Sequence, residues 1–165
     1  MATTTMTMVH PFVDSTDLLK TPEQLQDRAD AEGYLFFKDL LDPDPLLNLR
    51  RQILESCRDH GWLQEGTPLM DGIAHPDVSI TESKAPGWQA FYCDVQKCRD
   101  FHALALHPSI IRMLEALFGE PVLPHSRNIL RLMFPHTARF STPPHQDNYY
   151  IGGSKNTWTV WVPLG

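Results

Sequence analysis

Two extended runs near the end of the chain constrain its fold more than any other feature. The first is Pro143-Pro144-His145-Gln146-Asp147-Asn148-Tyr149-Tyr150. The loop signal Ile151-Gly152-Gly153-Ser154-Lys155-Asn156 follows it, and then the run Thr157-Trp158-Thr159-Val160-Trp161-Val162-Pro163-Leu164. β-Branched and aromatic residues fit a pleated, half-buried surface, and the glycine-rich stretch between the runs marks a connection. Strand side chains alternate between two faces. His145 and Asp147 are therefore expected on one face, about 6.6 Å apart along the backbone at about 3.3 Å per residue, with Gln146 and Asn148 facing away.

An imidazole and a carboxylate on one strand face can converge on one metal ion. Two histidines and a carboxylate with open positions make the facial triad of non-haem Fe(II) oxygenases, and His-x-Asp on one strand is how that triad begins. The motif alone is weak. Among the eight histidines of the chain, His75-Pro76-Asp77 gives a second match. Its central proline removes a ladder donor and its neighbourhood, from Gly66 to Gly87, is rich in Gly and Pro, so it reads as a turn. An ordinary solvated strand carrying a polar pair remains the plain alternative for His145 and Asp147. His125 and His136, which bracket a predicted strand, are the internal candidates for a third ligand, although a surface or loop role is the simpler reading of each. His107 precedes Pro108 at a helix start, while His10, His60 and His102 have no acidic partner at ligand spacing.

Upstream, Thr21-Pro22-Glu23-Gln24 reads as a helix start, with Thr21 as N-cap and Gln24 as its capping-box partner. Gly33 is placed to close that helix in the left-handed conformation. Tyr34 to Leu40 reads as a short strand. A second helix, capped at Asp44-Pro45 and reaching His60-Gly61, carries Leu46, Leu49, Ile53 and Cys57 at helical spacing, which predicts one buried stripe. Residues 61–98 show no clear period and read as a long loop. Pro108 opens a further helix with Ile110, Leu114, Leu117 and Phe118 on one face and Gly119 at its end. From Asn128 to Phe134 the pattern alternates, with Leu130, Leu132 and Phe134 on one face and Ile129, Arg131 and Met133 on the other. Arg131 could project toward a pocket, but a salt-bridged or snorkelling arginine is the commoner outcome.

At 165 residues one domain is expected, burying about 70% of the surface of its unfolded chain. A net charge of −6 argues against nucleic acid or an anionic membrane as partner, since either needs a basic patch. The Thr- and Met-rich start has neither a basic n-region nor a long apolar core. It reads as a flexible tail over residues 1–20, neither signal nor transit peptide. Cys57, Cys93 and Cys98 are odd in number and form no Cys-x-x-Cys, so they read as reduced thiols of a cytoplasmic protein.

The residues around His145 resemble the phytanoyl-CoA dioxygenase (PhyH-like) family of Fe(II)/2-oxoglutarate oxygenases. The resemblance rests on His145-Gln146-Asp147, on Tyr150, and on the strand ending Trp161-Val162-Pro163-Leu164. It extends upstream to the Ile110–Phe118 helix closed by Gly119-Glu120-Pro121, the run from Asn128 to Pro135, and the opening Gly33-Tyr34-Leu35-Phe36-Phe37. It covers roughly residues 22–165. It implies that His145 and Asp147 are the first two iron ligands and that Trp161 lines the 2-oxoglutarate pocket. With Asp147 present, it implies hydroxylation, since related halogenases lack this carboxylate. Two departures stand out. The lysine that many members carry before the Gly-x-Pro helix is absent from Gln89-Ala90-Phe91-Tyr92-Cys93-Asp94. The family's distal histidine and 2-oxoglutarate-anchoring arginine fall in a second half beyond residue 165.

The expected fold is α+β, with N-terminal helices packed on a double-stranded β-helix (a jelly-roll, cupin-like barrel) of which residues 21–165 supply the first half. The expected function is Fe(II)- and 2-oxoglutarate-dependent hydroxylation of a small-molecule C–H bond with O2, the third metal ligand lying beyond residue 165. A complementing C-terminal segment is the expected partner, and the 165 residues alone are expected to be inactive. The alternative is a non-catalytic cupin-like binding module or remnant. Trp158, on the face opposite Trp161, is expected to act through core packing.

Overall fold

The computed structural model describes residues 10–80, 85–135, 143, 145–154 and 156–165. Residues 1–9 of the expected tail, His136, and Pro144 of the extended approach lie outside them. The helices are α1 (Pro22–Glu32), α2 (Pro43–Asp59), α3 (Trp88–Lys97), α4 (Arg99–Ala105), α5 (Pro108–Phe118) and α6 (Asp147–Ile151), with 3-10 turns at Thr16–Lys20 and Leu69–Asp71. No helix among the described residues is long and apolar enough to cross a membrane. By their contacts the residues group into two compact units: 1–40 with 108–122, and 41–107 with 123–165.

In the first unit α1 packs on α5. Pro22 sits at the start of α1, and Gly33 ends it with φ 72° and a bond from its N–H to the Ala29 carbonyl. A residue with a Cβ resists that left-handed turn. The expected capping box does not form. The preceding 3-10 turn offers another acceptor, and the Thr21 hydroxyl donates to the Leu18 carbonyl at 3.3 Å. Leu25 and Ala29 of α1 are buried, as are Ile110, Met113 and Leu117 of α5. The expected strand over residues 34–40 shrinks to one parallel bridge, Asp14 to Phe36. Its continuation is cut off because the Thr16 hydroxyl takes the Lys38 N–H at 2.9 Å, and Asp39 turns at φ 53°.

The second unit is built on α2. Asp42, not Asp44, is its N-cap, accepting the Asp44 N–H at 3.0 Å. Pro43 holds a helical φ and lacks an N–H, so the helix begins there. Such a cap contributes about 1 kcal/mol. Leu49, Ile53 and Cys57 are buried as the stripe predicts, and burial pushes the Cys57 thiol up to about 12. That makes it an inert core residue. These three meet Trp62, Ile80, Trp88, Phe91, Val95, Phe101 and Leu130 in one core. Trp88, Phe91 and Val95 come from α3, a helix inside the stretch read as loop, and they stand on one face at helical spacing. Phe91 has no exposed surface and its ring centroid lies 4.7 Å from that of Trp62.

The run 128–134 buries alternate residues, the run 157–164 does so less regularly with Val160 exposed, and among the described residues neither joins a ladder. Leu130, Leu132 and Phe134 pack toward the core, whereas Ile129 and Met133 are exposed. Side chains hold this segment instead. The Tyr92 hydroxyl donates to the Asn128 carbonyl at 3.4 Å, and the Asn128 amide meets His102 Nδ1 at 3.2 Å. Leu164 likewise packs against the core while its carbonyl accepts from Arg50 Nη1 at 2.7 Å. Arg50 Nη2 donates to the Met70 carbonyl at 2.9 Å. Among the described residues the β pairings are two isolated bridges, the second being Leu63 to Ala74, antiparallel.

Candidate metal centre

His145 and Asp147 come together, though not on a strand. Gln146 between them is extended (φ −101°, ψ 117°). One extended residue suffices to turn its two neighbours to the same side. At Asp147 the chain then enters the helical turn α6, closed by the Tyr149 N–H to the Gln146 carbonyl at 3.1 Å. His145 Nε2 and Asp147 Oδ1 are 3.0 Å apart.

Each side chain is held by its other polar atom. His145 Nδ1 is 2.8 Å from the Pro143 carbonyl, an acceptor only, so Nδ1 carries the proton. Asp147 Oδ2 accepts the Thr159 hydroxyl at 2.6 Å. With Nδ1 protonated, Nε2 faces Oδ1 as the donor of an ion pair when it too carries a proton, and as a lone pair set against lone pairs when it does not. The latter arrangement is repulsive unless a cation stands between them. Two donor atoms each about 2.1 Å from an octahedral ion, and cis to one another, lie about 3.0 Å apart. The observed separation matches, and an imidazole nitrogen with a carboxylate oxygen is a donor set that suits a divalent first-row metal.

Electrostatics agree with this picture. Asp147 is held below the ordinary carboxylate range, first by the Thr159 hydrogen bond and then by His145 and the charge of Arg131, against the opposing effect of desolvation. Arg131 thus acts on the site through its field. The Tyr150 ring stands edge-on to His145 at 5.6 Å, and Tyr149 stands edge-on to Tyr150 at 5.1 Å. Trp161 shares the parity of Thr159 along its run and is 75% exposed. Trp158, on the other parity, is half-buried, so its packing role is smaller than the sequence suggested.

The remaining histidines take other roles. His75 and Asp77 form a turn, in which His75 Nδ1 accepts the Asp77 N–H at 3.2 Å and the His75 carbonyl accepts from Val78 at 3.0 Å. His125 is exposed, with its Nε2 3.3 Å from where a Cβ on Gly153 would lie. His60 does have an acidic partner: α3 brings Asp94 to 3.6 Å from its Nε2. Among the described residues no group of three or more His, Cys, Asp or Glu side chains is gathered to hold a metal. Thr159 is the residue that sequence reasoning missed. Its only local signal is a hydroxyl at the parity of Trp161.

No family model matches the chain, and no solved structure matches it. Curated proteins do. The chain is 31% identical over 157 residues to the 1-deoxypentalenic acid 11-beta-hydroxylase of Streptomyces arenae, an alignment covering 93% of this chain and 52% of that protein. It is 30% identical over 158 residues to the protein of the same name from Streptomyces exfoliatus, with the same coverage. The chain spans about half the length of the curated relatives it matches, and over nearly all of its own length it is similar to hydroxylases.

Proposed function

We propose that this chain contributes the first metal-binding half of a PhyH-like, Fe(II)- and 2-oxoglutarate-dependent dioxygenase that hydroxylates a C–H bond of a small molecule. The observation that carries the reading is the facing pair of His145 Nε2 and Asp147 Oδ1, 3.0 Å apart, with the opposite atom of each side chain engaged elsewhere. Similarity to two hydroxylases supports the same reading. The relatives' names point to a carbon skeleton bearing a carboxylic acid as the kind of substrate to try first.

His145 and Asp147 would hold the ion, and Trp161 would line the pocket for 2-oxoglutarate. Fe(II) with 2-oxoglutarate and O2 supplies, when bound, the oxidising chemistry that a C–H bond requires. The chain's own part is to fix donor atoms. Pro143 and Thr159 keep the imidazole and the carboxylate from turning away. Tyr150 supports the His145 ring through an edge-on contact. Two protein ligands are one short of a facial triad, so this reading places the third beyond Gly165, on the second half of a jelly-roll barrel to which the 128–134 and 157–164 runs belong.

The test is release of succinate from 2-oxoglutarate by the longest form of the protein, in the presence of Fe(II) and O2. Turnover that vanishes in Asp147→Ala is the expected result. Metal binding without any consumption of 2-oxoglutarate would instead indicate a binding module. Trp161 gives a finer check. Trp161→Ala should weaken 2-oxoglutarate binding about tenfold, the loss of one aromatic contact of about 1.4 kcal/mol, and leave metal affinity unchanged. The visible absorption of the Fe(II)–2-oxoglutarate chelate, titrated with co-substrate, reads this directly. An unchanged titration would remove Trp161 from the pocket.

A further inference from the structure

We infer that Thr159 is a positioning residue that selects which oxygen of Asp147 ligates the metal and ties the 157–164 run to the metal site. The inference rests on the metal-binding reading of His145 and Asp147. A carboxylate has two equivalent oxygens and about four lone-pair directions, so an unrestrained aspartate can present either oxygen, or both. Here the symmetry is broken. The Thr159 hydroxyl has only a carboxylate before it and must donate, at 2.6 Å to Oδ2, within the range of a charge-assisted O–H···O⁻ bond. Oδ1 is left as the oxygen facing His145 Nε2.

The pairing is not local. Thr159 lies twelve residues beyond Asp147, across a loop in which Gly152 and Gly153 take φ 74° and 111°. Within the loop the Thr157 hydroxyl closes back on the Ser154 carbonyl at 2.8 Å. As a β-branched residue, Thr159 has few χ1 choices, so where its backbone goes its hydroxyl goes. Asp147 therefore receives its orientation from a segment of chain other than its own. Outer-sphere partners of this kind typically alter metal affinity about 10- to 100-fold.

The probe is Mn(II), titrated calorimetrically into the longest form of the protein and its Thr159→Val, Thr159→Ser and Asp147→Ala variants, with melting temperatures recorded for each. Thr159 is exposed, so valine, which keeps its shape and removes its hydroxyl, is not expected to unfold the protein. The expected result is an affinity lowered about 10- to 100-fold in Thr159→Val and restored in Thr159→Ser. Metal should also slow hydrogen exchange over residues 157–164 in the wild type and in Thr159→Ser, but not in Thr159→Val. Wild-type affinity in Thr159→Val, together with loss of binding in Asp147→Ala, would overturn the role of Thr159 and leave the metal site standing. A serine variant as weak as the valine one would assign the effect to packing and also overturn it. Undiminished binding by Asp147→Ala would overturn both readings together.

Discussion

Replacing His145 or Asp147 by alanine is expected to lower Mn(II) affinity by more than about 100-fold, beyond the range that outer-sphere partners reach. His75→Ala and Asp77→Ala should leave it unchanged. Both pairs share the spacing His-x-Asp, so composition cannot explain a difference between them. What separates them is what the ring nitrogen faces. In the His75 turn the Asp77 N–H already occupies Nδ1, and the carboxylate of Asp77 is not the group that faces the ring. At His145 it is the ring nitrogen Nε2 that faces a carboxylate oxygen, at 3.0 Å. Anaerobic titration with Fe(II) should repeat the Mn(II) result. Comparable losses from both pairs would remove the assignment.

The second large effect is on stability. Phe91→Ala should cost about 3–5 kcal/mol, the usual loss for truncating a buried phenylalanine. Phe91 is wholly buried among the rings of Trp62 at 4.7 Å, Trp88 at 5.6 Å and His60 at 5.9 Å. Neither flanking tryptophan can follow a shrinking partner without losing its own contact, so the cavity stays open. Trp158→Ala should cost less than Phe91→Ala, because Trp158 is only half-buried. Urea unfolding with an unchanged denaturant slope gives both values. A Phe91→Ala cost below that of Trp158→Ala would mean that α3 is not the centre of the second unit.

Helix ends were legible wherever a proline and a glycine bracket an apolar stripe. Pro22 and Gly33 bound α1, and Pro108 and Gly119 bound α5, because each of those residues restricts the backbone by itself. The stripe of Leu49, Ile53 and Cys57 was legible for the same reason, since helical spacing is a local property. Helix α3 was not. Its ten residues include Trp88, Phe91 and Tyr92, whose helix propensity is modest. They follow a stretch punctuated by Gly and Pro, which hid the helical spacing of Trp88, Phe91 and Val95. Tyr149 and Tyr150 misled in the opposite direction. Aromatic residues favour strands, but the local bond from Tyr149 to Gln146 wound them into α6. Within the site, the meeting of His145 and Asp147 was legible because any extended residue between them produces it. Thr159 was not, since its partner lies on another segment and no spacing rule connects them.

The alternation along residues 157–164 makes the length of the preceding loop an odd-or-even matter. Trp158, Val162 and Leu164 are partly buried, while Thr159, Trp161 and Pro163 are exposed, with Val160 at the margin at 39% exposure. A slip of one residue exchanges the two sets. One residue inserted between Gly152 and Asn156 would swing the Thr159 hydroxyl off Asp147 and turn Trp158 out in its place, whereas two would keep Thr159 and Trp158 on their present faces. The loop can therefore change in size by pairs of residues, provided that Gly152 and Gly153 keep their positive φ.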